Sequence, residues 1–362
     1  MKIAIIGAGW FGCHIASVLI EEGFDVTIFE KEASIFGKAS GYNQYRLHMG
    51  FHYPRSYDTR KQTIIGFEKF VNTYPGFSAA IDHNIYGIVS KHSLIDFPTY
   101  KDIMRATGLP FEEVDPKNFG LDNVEGAIRC DERLIDTEGA KEHFDARLKN
   151  NLALGHPVHK LEGKSSRCLV DGIPYDFVVD CTWCAFENRA GGDLFYEPTV
   201  TLLYSSKMQN TAITLMDGAF FSLYPFKKDL STLTSVAQTP RGRYTHYEAA
   251  RRYLEKVDFE YIRNVQELME KEVEGFFPAF HDYFQCSGYY LAIKTKISDA
   301  TDKRFCSVTK SGRIITVISG KIDSIFVAAE EVMAIIDSRI ADADRQMDRS
   351  IHVATGTRGN CK

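Results

Sequence analysis

Ile3-Ala4-Ile5-Ile6-Gly7-Ala8-Gly9-Trp10-Phe11-Gly12 stands almost at the start of the chain, and its reading decides the fold. The four apolar residues suit a short strand buried on both faces. Gly7, Gly9 and Gly12 form G-x-G-x-x-G. Gly7 permits the tight turn out of the strand, Gly9 lets the backbone approach a pyrophosphate, and Gly12 lets a helix pack closely on the sheet. Helical spacing follows from Cys13 to Glu22, with Ile15, Val18 and Leu19 on one stripe, and Gly23 stands where a C′ glycine belongs. Phe24–Phe29 reads as a second strand, closed by Glu30 and followed by Lys31. This is a complete βαβ opening. Phosphates would sit on unpaired N–H groups at the positive helix end, so Gly7, Ala8, Gly9, Trp10, Phe11 and Gly12 are candidate binding positions. Glu30 would accept from a ribose diol. Strand, turn, helix, strand and acid in this order are specific for a dinucleotide, but the pattern serves NAD and FAD alike.

The rest of the chain narrows the class. Its 362 residues suffice for two domains or for one large α/β body with an insertion. Hydrophobic residues make up 44% and charged residues 25%, as in globular proteins with a substantial core. A net charge of −5 gives no footprint for nucleic acid or an anionic membrane. The eight cysteines are scattered, and Cys181-x-x-Cys184 has no second pair at metal spacing. Reduced thiols in the cytoplasm are expected, with no metal site. No apolar run approaches the ~20 residues needed to span a bilayer.

Strands are expected over Tyr175–Asp180, Thr199–Tyr204, Thr232–Val236 and Arg313–Ile318, and helices over Thr59–Thr73, Thr137–Asn150, His246–Val257, Tyr261–Glu274 and Ser324–Ile340. Strands and helices alternate at the ends while strands dominate the middle. The predicted class is α/β, a doubly wound Rossmann-type domain interrupted by a sheet-rich one.

Beyond Glu30, the stretch from Ala39 to Ser56 carries Ser40-Gly41-x-Asn43 and His48-x-Gly50-x-x-Tyr53. It resembles the D-amino-acid oxidase superfamily of flavoproteins, and especially the branch of L-2-hydroxyglutarate and glycerol-3-phosphate dehydrogenases. In that branch the segment lies along the flavin. Tyr45-Arg46 and His52 depart from the pattern, which bears on the substrate more than on the cofactor. Ser319-Gly320-Lys321-Ile322-Asp323 is similar to the family's last strand–helix junction, which meets the pyrimidine edge of the ring. A helix N-terminus there would stabilise negative charge on the reduced ring. Lys321 could add to this or lie at the surface. Val158 and the strand Asp176–Thr182, ending Cys181-Thr182 where Ala-Thr-Gly is usual, match the family's reach to the adenine end.

The resemblance implies bound FAD. It also implies a discontinuous FAD domain over residues 1–75, 130–195 and 296–340, with a substrate domain of mainly antiparallel sheet plus helices over 76–129 and 196–295. Residues 341–362 read as a polar tail. The candidate cofactor positions are then the fingerprint residues with Glu30, Lys31, Ser40, Asn43, Gly50, Val158, Cys181, Thr182, Gly320, Lys321, Ile322 and Asp323.

A flavin enzyme asks its protein to position a carbon and handle a proton. His48 and His52 are the leading candidates, His48 against the flavin, where some relatives carry a covalent link, and His52 facing the substrate. Arg46, Arg55, Lys294, Lys296 and Arg304 could anchor a substrate charge, and Arg46 is favoured because it lies inside the flavin-proximal segment. Asp217–Phe226 suits a strand covering the flavin face, with Tyr224 able to touch a polar substrate. Gly288-Tyr289-Tyr290 gives a similar, weaker signal.

The expected activity is oxidation of a C–H beside an amine or hydroxyl in a small polar molecule, such as an amine, hydroxy acid or sugar derivative. Hydride would pass to flavin N5. The alternatives are a flavin-dependent sugar mutase without net redox, a nicotinamide dehydrogenase and a nucleotide-binding regulatory protein.

Overall fold

The computed structural model describes residues 1–163, 167–186, 194–297 and 306–338. The fingerprint folds as its spacing requires. Strand Lys2–Ile6 feeds helix Trp10–Glu21, and strand Asp25–Phe29 returns beside the first in parallel register, Ile3 opposite Val26. Gly23 ends the helix at φ +83°. Phe177–Asp180 pairs in parallel with the other side of the first strand, and Ile314–Ile318 pairs in parallel with Phe177–Asp180. Leu152–Ala153 and the antiparallel strand Ser307–Ser311 complete the edges of this sheet.

The helical face of the sheet closes over aromatic rings. Trp10 lies 5.0 Å from Phe36, 5.6 Å from Phe70 and 5.8 Å from Phe144, centroid to centroid. Phe70 and Phe144 are fully buried. Trp10, Phe70 and Phe144 come from helices Trp10–Glu21, Tyr57–Thr73 and Thr137–Leu148 and Phe36 from the loop after the second strand, so one apolar cluster locks four segments onto the sheet. Ser56 and Asp136 cap the second and third of these helices by accepting the Thr59 and Gly139 N–H groups.

A second sheet runs Phe284–Ile297, Leu194–Ser206, Leu230–Ser235, Phe221–Lys227, Thr211–Met216, His83–Val89, Val124–Arg129 and Glu112–Val114. Its pairs are antiparallel except Thr211–Met216 with His83–Val89. Helix Phe259–Glu274 covers one face, burying Ile262, Val265, Met269 and Val273 against Leu202, Ile213 and Leu233. This is the sheet-rich insertion expected from the sequence.

Several boundaries shift. The strand expected over Tyr175–Asp180 is split: Ile173–Tyr175 joins a small antiparallel sheet, and Phe177–Asp180 enters the main one. Thr199–Tyr204 is the centre of a 13-residue strand. The strand expected from Asp217 starts at Phe221, because Gly218 turns at φ +151°. The last helix begins at 325 after a 3-10 turn, Ile322–Ser324, and is described to 338. Arg304 and the polar tail lie outside the described residues.

A three-stranded sheet joins the two bodies. Arg46–Leu47 pairs with Arg133–Ile135, with Arg46 opposite Leu134, and Ser78–Ala80 lies on the other side. This pairing brings residue 132 to residues 48–50, more than eighty positions away in sequence.

Candidate active site

The phosphate-binding half of the site is a set of close approaches. A Cβ on Gly12 would lie 1.9 Å from the Gly7 carbonyl oxygen, so the helix can meet the turn only with glycine there. Gly7 itself turns at φ +98°. A Cβ on Gly9 would fall 2.7 Å from Ser40 Oγ, and that oxygen accepts the Trp10 N–H at 3.0 Å. The N-cap residue of helix Trp10–Glu21 is Gly9, which brings no capping side chain of its own, and the first turn holds no acid, which suits an anion at the N-terminus. Glu30 accepts the Ala8 N–H on Oε2 at 2.8 Å and the Glu32 N–H on Oε1 at 2.9 Å. Each oxygen keeps a lone pair for a further donor.

The other expected cofactor positions fall around this half. The Cys181 N–H donates to Ile6 O, and a Cβ on Gly7 would touch the Cys181 carbonyl. Thr182 donates both its N–H and its hydroxyl to Asp180 Oδ1. Lys31 Nζ stands 5.3 Å over the Tyr247 ring, and Val158 packs on the cluster of Ile6, Phe29 and Leu161. Phe11 is half-buried. Asn43 folds its own loop, donating to Ala39 O and Ser40 O while accepting the Tyr45 N–H.

The segments 46–53 and 319–323 meet through helix Tyr57–Thr73. Gly66 on that helix sits against Asp323, where a Cβ would come 2.3 Å from the Asp323 carbonyl oxygen. Thr63 Oγ1 accepts from Lys321 Nζ at 2.9 Å. Lys321, for which the sequence allowed surface or site, is buried, 3.6 Å from Asp323 Oδ2 and 5.3 Å over the Tyr53 ring. Burial raises the Asp323 pKa, against the opposing pull of Lys321. Gly320 lies beside Trp183, and Ile322 packs on the core of the first sheet. Gly50 turns at φ +128°.

Around His48 the structure assembles a buried polar cluster. His48 and His52 rings are 5.3 Å apart, and the Tyr53 ring is 5.6 Å from His48. Glu132, which sequence reasoning missed, is fully buried. Its Oε1 accepts the Met49 N–H at 2.8 Å and the Gly50 N–H at 3.3 Å. Its Oε2 accepts the Tyr86 hydroxyl at 2.6 Å and lies 3.5 Å from His48 Nδ1. Arg46 donates to Ser222 Oγ at 2.8 Å and to the Tyr86 hydroxyl at 2.7 Å, and its terminal nitrogen stands 3.9 Å from Glu132 Oε2. Its guanidinium also lies 4.5 Å over the Tyr224 ring, whose hydroxyl donates to Arg133 O. Tyr86, Ser222 and Tyr224 belong to the second sheet, so the cluster forms where the two bodies touch.

Burial would raise the Glu132 pKa, but His48, Arg46 and the Tyr86 hydroxyl outweigh it and hold it at about 2. Burial lowers the pKa of His48, helped by Arg46 and opposed by Glu132. The imidazole is therefore neutral beside an ionised carboxylate. The positive charge of Arg46 is matched inside the cluster by Glu132. Arg55 is matched by Asp217 at 2.6 Å and Lys296 by Glu197 at 2.5 Å, while Lys294 faces Glu197 across the strand pair. Tyr290, the last of the weaker candidates, lies 6.0 Å from the Phe226 ring. Among the described residues no group of three His, Cys, Asp or Glu is arranged to hold a metal ion, and no helix is long and apolar enough to cross a membrane.

Comparison with known proteins identifies the family. The model of the NAD(P)-binding Rossmann-like domain matches residues 5–65. The chain is 40% identical over 337 residues to the FAD-dependent monooxygenase FPY4 of Fusarium mangiferae, covering 93% of this chain and 91% of that one. It is 25% identical over 370 residues to the FAD-dependent monooxygenase kojA of Aspergillus flavus, covering 93% and 86%. Among solved structures, L-alpha-glycerophosphate oxidase from Mycoplasma pneumoniae with FAD bound superposes with a TM-score of 0.73 at 12% identity, covering 93% and 94%. Glycine oxidase from Geobacillus kaustophilus gives 0.70 at 14%, again covering 93% and 94%. These two share the fold, and with FAD-dependent relatives the nicotinamide alternative gives way. With 40% identity across nearly the whole of both chains, this chain belongs to the FAD-dependent monooxygenase family of its Fusarium relative, a family of FAD-dependent oxidoreductases.

Proposed function

We propose that the protein binds FAD and oxidises a carbon bearing an amine or hydroxyl in a small polar substrate, an amine, a hydroxy acid or a sugar derivative. Bound FAD would supply the two-electron acceptor. The pyrophosphate would rest on the Gly9–Phe11 backbone, with Ser40 Oγ, which already accepts the Trp10 N–H, donating its own hydrogen to a phosphate oxygen. The ribose diol would take the remaining lone pairs of Glu30. The ring end would lie between residues 48–53 and the Gly320–Asp323 turn, where a buried ammonium offsets negative charge. Free thiols at Cys13, Cys130, Cys181, Cys286 and Cys306 suit the cytoplasm.

The observation that carries the reading is a half-buried His48 at the meeting point of these two segments, with its pKa lowered by desolvation. An uncharged imidazole takes the O–H or N–H proton as the C–H hydride leaves. His52 and Tyr53 would shape the wall that orients the carbon, and Arg46 with Tyr224 would form its floor.

A second reading is favoured by the names of the relatives, both FAD-dependent monooxygenases. In that case one atom of O2 enters the product, and an external two-electron donor is required.

The test begins with the visible spectrum of the purified protein before and after acid precipitation. Flavin in the supernatant is expected, and flavin kept in the pellet would indicate a covalent link, His48 being the first residue to replace. Candidate alcohols and amines are then added without oxygen. Bleaching of the flavin band, slowed about 10²–10⁴-fold in His48→Ala, is the expected result. Labelled O2 separates the readings: unlabelled product with one peroxide per turnover supports simple oxidation, whereas label in the product overturns it.

A further inference from the structure

We infer that Glu132 is the positioning residue of this site: its carboxylate holds His48 with the proton on Nδ1 and the Nε2 lone pair offered to the substrate. The inference rests on the reading of His48 as proton acceptor.

Two features of the geometry point the same way. Oε1 takes two consecutive backbone N–H groups, Met49 and Gly50, at 2.8 and 3.3 Å, and so fixes the peptide that follows His48. Oε2 takes the Tyr86 hydroxyl at 2.6 Å and lies 3.5 Å from His48 Nδ1. A neutral imidazole has one N–H and one lone pair. Turning the Nδ1 lone pair toward a carboxylate sets two negative densities face to face, whereas turning an N–H toward it sets up an attraction. The proton therefore belongs on Nδ1, and the far nitrogen is the acceptor. This is how a carboxylate selects a histidine tautomer at many metal and catalytic sites. Tyr86 is held protonated because burial raises its pKa, so it remains a donor to Glu132 and leaves the carboxylate its charge.

In the proposed oxidation the C–H bond would break with its electron pair leaving as hydride, for which bound FAD would supply the two-electron acceptor. The O–H or N–H proton passes to Nε2, and the substrate becomes a carbonyl or imine. The imidazolium formed then faces a carboxylate already in place, so no group has to reorganise. The charged or titratable groups around His48 are Glu132 and Arg46, then Asp323 and Lys321 from the final turn, His52 and Tyr53 from its own segment, and Tyr86 from the second sheet.

Glu132→Gln keeps the shape and can still accept from Met49 and Gly50. Its amide would donate toward Nδ1 and reverse the tautomer. The expected result is a fall in kcat of about a hundredfold or more with KM nearly unchanged. The acid limb of the kcat/KM profile should move to lower pH, because a carboxylate that raised the His48 pKa is gone. FAD absorbance per protein should stay within about twofold of the parent. In a His48→Ala background, Glu132→Gln should add less than about twofold, whereas independent, multiplying losses would overturn the proposal. If His48→Ala alone keeps full activity, it is the proton-acceptor reading that fails. Nitrogen-15 shifts of His48 in the unaltered holoenzyme need no variant: protonation at Nδ1 is expected, and protonation at Nε2 overturns the assignment.

Discussion

His14 offers a quantitative test of how the dinucleotide helix is held. It sits on the buried face of helix Trp10–Glu21, only 5% exposed. Its Nδ1 is 2.6 Å from the Tyr74 hydroxyl, and its ring meets Phe326 edge-on at 4.8 Å. Burial raises the Tyr74 pKa, so the phenol keeps its proton and donates. His14 Nδ1 must then accept, and the imidazole is neutral. Burial lowers its pKa from 6.5 to about 4. Because the folded pKa lies below the unfolded one, the unfolded chain binds the proton first. The stability contribution is complete above pH 6.5 and is lost as pH falls through 4. At 1.36 kcal/mol per pKa unit the loss is about 3 kcal/mol.

For 362 residues at about 2.1 cal/mol/K each, the unfolding entropy is about 0.8 kcal/mol/K, so the loss corresponds to about 4 °C in Tm. His14→Asn can still accept from Tyr74 but carries no titrating proton. Scanning calorimetry of both proteins between pH 7 and pH 4 should show the parent losing about 4 °C more than the variant. His48 and Glu132 titrate in both proteins and cancel from the comparison. Parallel Tm curves would show that His14 does not couple protonation to folding, and would refute the reasoning.

Two other substitutions probe the site's supports. Gly12→Ala must lift the helix from the Gly7 carbonyl by about 1 Å or more, a misplacement that typically costs on the order of 10²-fold in function, so flavin-fluorescence titration should show FAD affinity down by about that factor. Unchanged affinity would remove the close-approach argument. Lys321→Met leaves Asp323 buried without its ammonium and should cost about 3–5 kcal/mol in urea unfolding. Adding Asp323→Asn should recover much of that loss, and no recovery would mean the two residues act separately.

What the sequence made legible follows the range of the interactions. The opening βαβ unit was readable because strand, glycine turn, helix and second strand are specified within thirty residues by local sterics. The strand Phe284–Ile297 was missed. It packs between Leu194–Ser206 on one side and open edge on the other, and its buried and half-exposed residues follow no period of two. Glu132 escaped for a different reason. Cys130-Asp131-Glu132-Arg133 reads as a polar turn, and the donors that justify a buried carboxylate lie at positions 49, 50 and 86. The available signal was an acid directly before a short strand, Arg133–Ile135, that pairs with the flavin-proximal segment. That signal exists only once the pairing is known.

The cluster also bears on why the two bodies meet where they do. A buried carboxylate and guanidinium are weak stabilisers, since their desolvation offsets most of their attraction, and well-packed apolar residues serve stability as well. Arg46 and Glu132 nevertheless occupy the seam between the sheets, each spending its hydrogen bonds on particular partners: Ser222 and Tyr86 for the one, Met49, Gly50 and Tyr86 for the other. An apolar seam would tolerate small slips of one sheet over the other. This one does not, because any slip strands a buried charge at a cost of several kcal/mol. Tyr86 is the pivot, accepting from Arg46 and donating to Glu132 in the same hydroxyl. The second sheet thereby sets the position of the residue-48 backbone to within a hydrogen-bond length, although it contributes no residue to the dinucleotide fingerprint.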